Sequence, residues 1–134
     1  MSRRLRKKQL KKLGKYVSSR ECWNLDATIA EFIIPRLKKY KQGTIGYPCL
    51  DRELYAKTNE QKSITFEDWK NILDEIILAF ELSLTDPFDE LVRLNLDIKN
   101  KTDSDTFMNI CEERNRKIER GLDLFKYYYQ DLWW

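Results

Sequence analysis

A chain of 134 residues has room for one compact domain and not for two. With 35% charged and 42% hydrophobic residues but only 4 Gly and 3 Pro, its composition suits a helical globular domain better than a disordered or all-β one. The net charge of +3 conceals an asymmetry: residues 1–15 carry eight cations and no acid, which leaves residues 16–134 at −5. Histidine is absent, and with it the commonest general base, proton shuttle and metal ligand. Three cysteines, Cys22, Cys49 and Cys111, lack any CxxC spacing, so neither a disulfide framework nor a zinc site is expected; all three read as buried small hydrophobes in a reducing setting. No apolar run approaches membrane-spanning length, and the basic start is not followed by an apolar signal-peptide core.

In chain order, residues 1–15 form a basic N-terminal arm, with Leu5, Leu10 and Leu13 at loose helical spacing and Gly14 as a stop. Arg3, Arg4, Arg6, Lys7, Lys8, Lys11 and Lys12 are its candidate contacts to nucleic acid, since such an arm either stays solvated or binds phosphates in a salt-sensitive way. Residues 16–134 form the helical domain. Ser18 and Glu21 have the spacing of a capping box, predicting a helix from there to about Tyr40. Cys22, Ile29, Ile33, Leu37 and Tyr40 recur on one face of it, with Asp26 among them. Pro35 falls inside the pattern and is expected to kink or split the helix. Lys38, Lys39, Lys41 and Gly43 suit its C-terminus.

Gly43 to Pro48 is a loop, and Asp51 to about Lys57 a short helical segment. Thr65 and Asp68 cap the core helix, whose face is Trp69, Ile72, Leu73, Ile76, Ile77 and Phe80. Asp86-Pro87 starts a further helix of about three turns, and Asn100–Asp105 reads as a polar loop. The last helix is predicted from about Thr106 toward Leu132, with Phe107, Ile110, Cys111, Ile118, Leu122, Phe125, Tyr129 and Leu132 as its stripe, interrupted by Arg114 and by Gly121, which marks a close helix crossing or a local bend. Together these predict an all-α, single-domain bundle of about four main helices with a Pro-kinked first core helix.

Asp26 and Arg114 both interrupt apolar faces, and either form a structural ion pair or belong to a site. In the site version Arg36, Lys39, Tyr47 and Arg114 converge on an anion, for which the planar arginine fork is well matched. Facing helices carry no paired i, i+3 acids on buried faces, so no catalytic residues, metal or cofactor are expected and the chain does not read as an enzyme. The aromatic C-terminus from Phe125 to Trp134 exceeds what one helix face buries, which points to a partner surface and a homo-oligomer.

The blocks W-x-L-D at Trp23–Asp26, P-R-L-K at Pro35–Lys38, G-Y-P at Gly46–Pro48, W-x-x-I-L-D at Trp69–Asp74 and G-L-x-L-F at Gly121–Phe125 resemble a family of small tailed-phage proteins. The resemblance covers most of residues 20–134. It implies phage origin and action in the cytoplasm of the infected bacterial host, and it carries no activity with it. The leading expectation is therefore a non-catalytic phage accessory protein, with counter-defence among its candidate roles, that sequesters an anionic ligand such as a nucleotide immune signal. The alternatives are an interaction protein that binds a host protein or nucleic acid through its arm and aromatic C-terminus, and a virion component.

Overall fold

The computed structural model describes residues 2–133; Met1 and Trp134, the outer ends of the two expected segments, lie outside the described residues. Secondary structure in this span is entirely helical. Helices α1 (Arg3–Lys12), α2 (Leu25–Gly43), α3 (Arg52–Thr58), α4 (Phe66–Ser83), α5 (Phe88–Arg93) and α6 (Lys101–Tyr128) follow in order, with 3₁₀ turns at Ser19–Cys22 and Tyr129–Asp131. The predicted class holds, whereas six helices among the described residues replace the expected four.

The organising element is α4. The Thr65 hydroxyl accepts from the Asp68 N–H and the Asp68 carboxylate accepts from the Thr65 N–H, at 3.0 and 2.9 Å, so two orphan donors at the helix start are satisfied reciprocally. Donation from the Thr65 N–H, then from its hydroxyl, holds the Asp68 carboxyl below its ordinary pKa. Trp69, Leu73 and Ile76 are fully buried, and α2 and α6 each pack along α4 while making little direct contact with each other. Tyr40 and Tyr128 bring their rings against Trp69, and Phe125 stands edge-on to Phe80 at 5.4 Å.

Helix α6 crosses α4 at Gly121, where a side-chain Cβ would lie 2.3 Å from the Ala79 Cβ and 2.4 Å from the Glu75 carbonyl oxygen. That close approach sets the buried face at this end of α6 as Gly121, Leu124 and Tyr128; of the expected stripe, Phe107, Ile110, Cys111, Ile118, Phe125 and Leu132 are half-buried, whereas Leu122 and Tyr129 are 43% and 64% exposed. Helix α6 also starts earlier than expected. Asn100 accepts from the Asp103 N–H at 3.2 Å, so the polar run read as a loop is the solvated first turn.

The predicted helix start at Ser18 is a single 3₁₀ turn, in which the Glu21 carboxylate accepts from the Ser18 N–H at 2.7 Å. Asn24 in left-handed backbone, φ 49°, separates it from α2. Helix α2 then runs through Pro35 as one element. Pro35 leaves the Glu31 carbonyl without a helical donor, and beside it the Arg36 guanidinium donates to the Phe32 carbonyl at 2.7 Å. Helix α5 is two turns rather than three, since Asn95 at φ 52° ends it. Cys22 and Cys49 are exposed and Cys111 is half-buried, contrary to the expectation for all three.

Candidate functional site

The four residues expected to converge on an anion are dispersed. Arg36 and Lys39, one turn apart on α2, line a hollow of about 540 Å³ with Ile33, Leu37, Tyr40 and Leu132. Tyr47 lies in the loop after α2, its ring 5.6 Å from that of Phe66. Arg114 borders a different hollow, near α5, and its Nη2 donates to the Leu82 and Thr85 carbonyls at 2.7 and 2.9 Å. The Leu82 carbonyl belongs to the last turn of α4 and the Thr85 carbonyl to the turn just past its end, where the helix dipole favours a cation. Arg114 is thus committed to capping α4, and it does not pair with Asp26. Asp26 is exposed in the first turn of α2, where a carboxylate suits the positive end of the helix dipole.

The ion pairs that do form join other elements. Arg52 grips Asp131 with Nε and Nη2 at 3.1 and 3.0 Å, a bidentate pair that fixes α3 against the C-terminal segment. Hydrogen bonding to Asp131 raises the Arg52 pKa above its ordinary value. The Arg52 N–H donates to the Tyr128 hydroxyl at 3.1 Å, and burial pushes that phenol up to about 12. Arg120 pairs with Glu53, Lys38 with Glu81 at 2.8 Å, and Lys41 with Asp74. Tyr40 donates to the carbonyls of Asp131 and Trp133, so the chain end is tied to α2. These contacts give Lys38 and Lys41 of α2, Arg52 and Glu53 of α3, Arg120 of α6 and Asp131 structural roles.

The arm is different. Ser2 caps α1 by accepting from the Leu5 N–H at 3.2 Å, and Gly14 at φ 67° supplies the left-handed backbone just past its end. At roughly 3.6 residues per turn, Arg3, Arg4, Lys7, Lys8, Lys11 and Lys12 cover one half of the α1 circumference. Leu5, Gln9, Leu10 and Leu13 lie on the other half with Arg6. Lys7 and Lys11 flank the Tyr16 ring at 4.9 and 5.3 Å from its centroid. Among the described residues no acid pairs with any of these cations. Helix α1 packs extensively on no other helix, and all its residues except Leu10 are exposed.

No cluster of three or more His, Cys, Asp or Glu side chains able to hold a metal occurs among the described residues. No described helix is long and apolar enough to cross a membrane. No family model, curated protein or solved structure matches the chain.

Proposed function

We propose that the protein is a non-catalytic binding module that presents α1 to the phosphate backbone of a nucleic acid, with the α2–α6 body as its scaffold. The observation that carries this reading is the half-cylinder of unpaired cations on α1, about 15 Å long at the helical rise per residue. A surface of that kind neutralises several phosphates without reading bases, so it gives affinity with little sequence preference. The setting we propose is the cytoplasm of a phage-infected bacterium, which rests on the sequence resemblance alone.

Nucleotide sequestration by Arg36, Lys39, Tyr47 and Arg114 draws less support, because only Arg36 and Lys39 share a hollow and Arg114 is taken up by α4. The test is fluorescence anisotropy of a labelled 20-base-pair duplex with the full chain, a chain lacking residues 1–15, and an Arg4→Glu, Lys8→Glu, Lys11→Glu variant. Binding by the full chain and its loss in both altered chains is the expected result. Equal binding by all three, or binding by none, would sink the proposal; so would capture by anionic vesicles in the absence of duplex binding.

A further inference from the structure

Both helices that flank α4 carry a second apolar face that the fold leaves uncovered. On α2 the buried positions are Ala30 and Leu37, while Leu25, Ile29 and Phe32 are 52%, 48% and 59% exposed. With Arg36 they recur at spacings of four, three and four, which is the pattern of a helix–helix seam. On α6 the burial of Gly121, Leu124 and Tyr128 leaves Leu122 and Tyr129 in solvent, with Phe125 half-buried between the two faces. The hollow lined by Ile33, Tyr40 and Leu132 lies where α2 meets the C-terminal segment.

The chain as a whole also exposes more surface than its mass predicts. The chain exposes 10621 Å², whereas a compact monomer of 16.2 kDa exposes roughly 7500 Å². Even if the arm is assigned its fully extended area, about 2700 Å², the body still exceeds a compact one of its size by roughly 1000 Å². Each partner in a stable interface of standard size buries about 800 Å².

We infer that two copies of the chain pair across this face, with α2 of one packed antiparallel on α2 of the other about a two-fold axis near Ile29 and Phe32. A seam repeated on an identical partner is self-complementary in spacing, as an isologous contact requires. The chain's own arm is a poor occupant, because its cations would meet Arg36 and Lys39. The Arg36 guanidinium lies on one face of the Phe32 ring at 3.7 Å and donates to the Phe32 carbonyl within its own chain, so it enters the seam with its charge against an aromatic face and one hydrogen bond already made. This pairing is independent of what α1 binds.

Sedimentation velocity of the full chain from 1 to 100 µM tests it, with Ile29→Glu, Phe32→Glu and Val92→Glu beside the parent. Val92, on α5, is 83% exposed and serves as a control for adding charge to an unrelated apolar patch. The parent is expected at twice the 16.2 kDa chain mass. Ile29→Glu and Phe32→Glu are expected to weaken association at least about 30-fold, as loss of an interface anchor does, with helical circular dichroism unchanged because neither side chain is in the core. Val92→Glu should remain paired. A monomeric parent would overturn the inference and leave the face to a different protein, and a dimer that survives Phe32→Glu would place the interface elsewhere and overturn it equally.

Discussion

Replacing Gly121 with alanine adds one methyl group at the tightest point of the fold. The new Cβ would sit 2.3 Å from the Ala79 Cβ and 2.4 Å from the Glu75 carbonyl oxygen, the latter part of α4's backbone. Ordinary carbon contacts lie near 3.5–4.0 Å, so α6 must move off α4 by roughly 1 Å, and a gap of that size forfeits up to half of each contact's attraction along the seam. Overpacking against backbone costs about 3–4 kcal/mol here, at or beyond the upper end of the usual range, and the gain in helix propensity from Gly to Ala returns about 1 kcal/mol. A net loss of about 2–3 kcal/mol corresponds to a fall in Tm of roughly 10 °C for a chain of this size. Thermal unfolding followed by circular dichroism at 222 nm reads it directly. The double variant Gly121→Ala, Ala79→Gly removes one collision and keeps the Glu75 carbonyl, so it should recover the loss only in part. A Gly121→Ala protein as stable as the parent would refute the close crossing and show that propensity alone governs the site.

Tyr128 makes stability sensitive to alkali. Its phenol ionises near 10 when unfolded and is pushed up to about 12 by burial in the fold, so the unfolded chain loses its proton first. The contribution is intact below pH 10 and is lost as pH rises from 10 through 12; it amounts to about 2 kcal/mol, and urea unfolding of the parent against Tyr128→Phe across that range should show the difference shrinking. At the acid end, Glu21 and Asp68 are held below their ordinary pKa by backbone bonds to Ser18 and Thr65. Their stabilisation is present above the unfolded carboxylate range and is lost as pH falls through the depressed folded values, so an Asp68→Asn chain should show a shallower acid transition, whereas Thr65→Ala, which keeps the N–H that Asp68 accepts, should lose about 1 kcal/mol at neutral pH from the missing cap. Asp131→Asn breaks the bidentate clasp on Arg52; since Arg52 is 42% exposed, the expected cost is only about 1 kcal/mol, and increased amide exchange in α3 would locate it. Deleting residues 1–15 should leave Tm unchanged, because α1 packs on no other helix to any extent.

The parts of the fold that were legible in the sequence are those whose signal is local. Thr65, Asp68 and the run from Trp69 to Phe80 announce α4, and Asp51 announces α3, because a cap and its helix are neighbours in the text. Only the last turns of α6 depart from the expected stripe, because the residue that fixes them, Gly121, contributes no side chain to it: counting large apolar residues selects Leu122 and Tyr129, whereas close approach selects Leu124 and Tyr128. The role of Arg114 was hidden for a related reason. Its partners are carbonyls of Leu82 and Thr85, and backbone leaves no letter in the sequence. The Arg52–Asp131 clasp joins residues 79 apart, and neither stands out locally. Of the candidate site, the arm's cations and their freedom from acids were readable from composition; that they form one face of a helix followed from the structure.

The measurement that bears most directly on the proposed function is the salt dependence of duplex binding between 50 and 200 mM. If about five cations of α1 meet phosphates, the logarithm of affinity should fall with the logarithm of salt at a slope of about −4.5, a loss of roughly 500-fold over that range. Removing Lys8 and Lys11 as alanines should reduce the slope by about 2. A slope near zero, or one that Lys8→Ala and Lys11→Ala leave unchanged, would contradict binding through the basic face of α1.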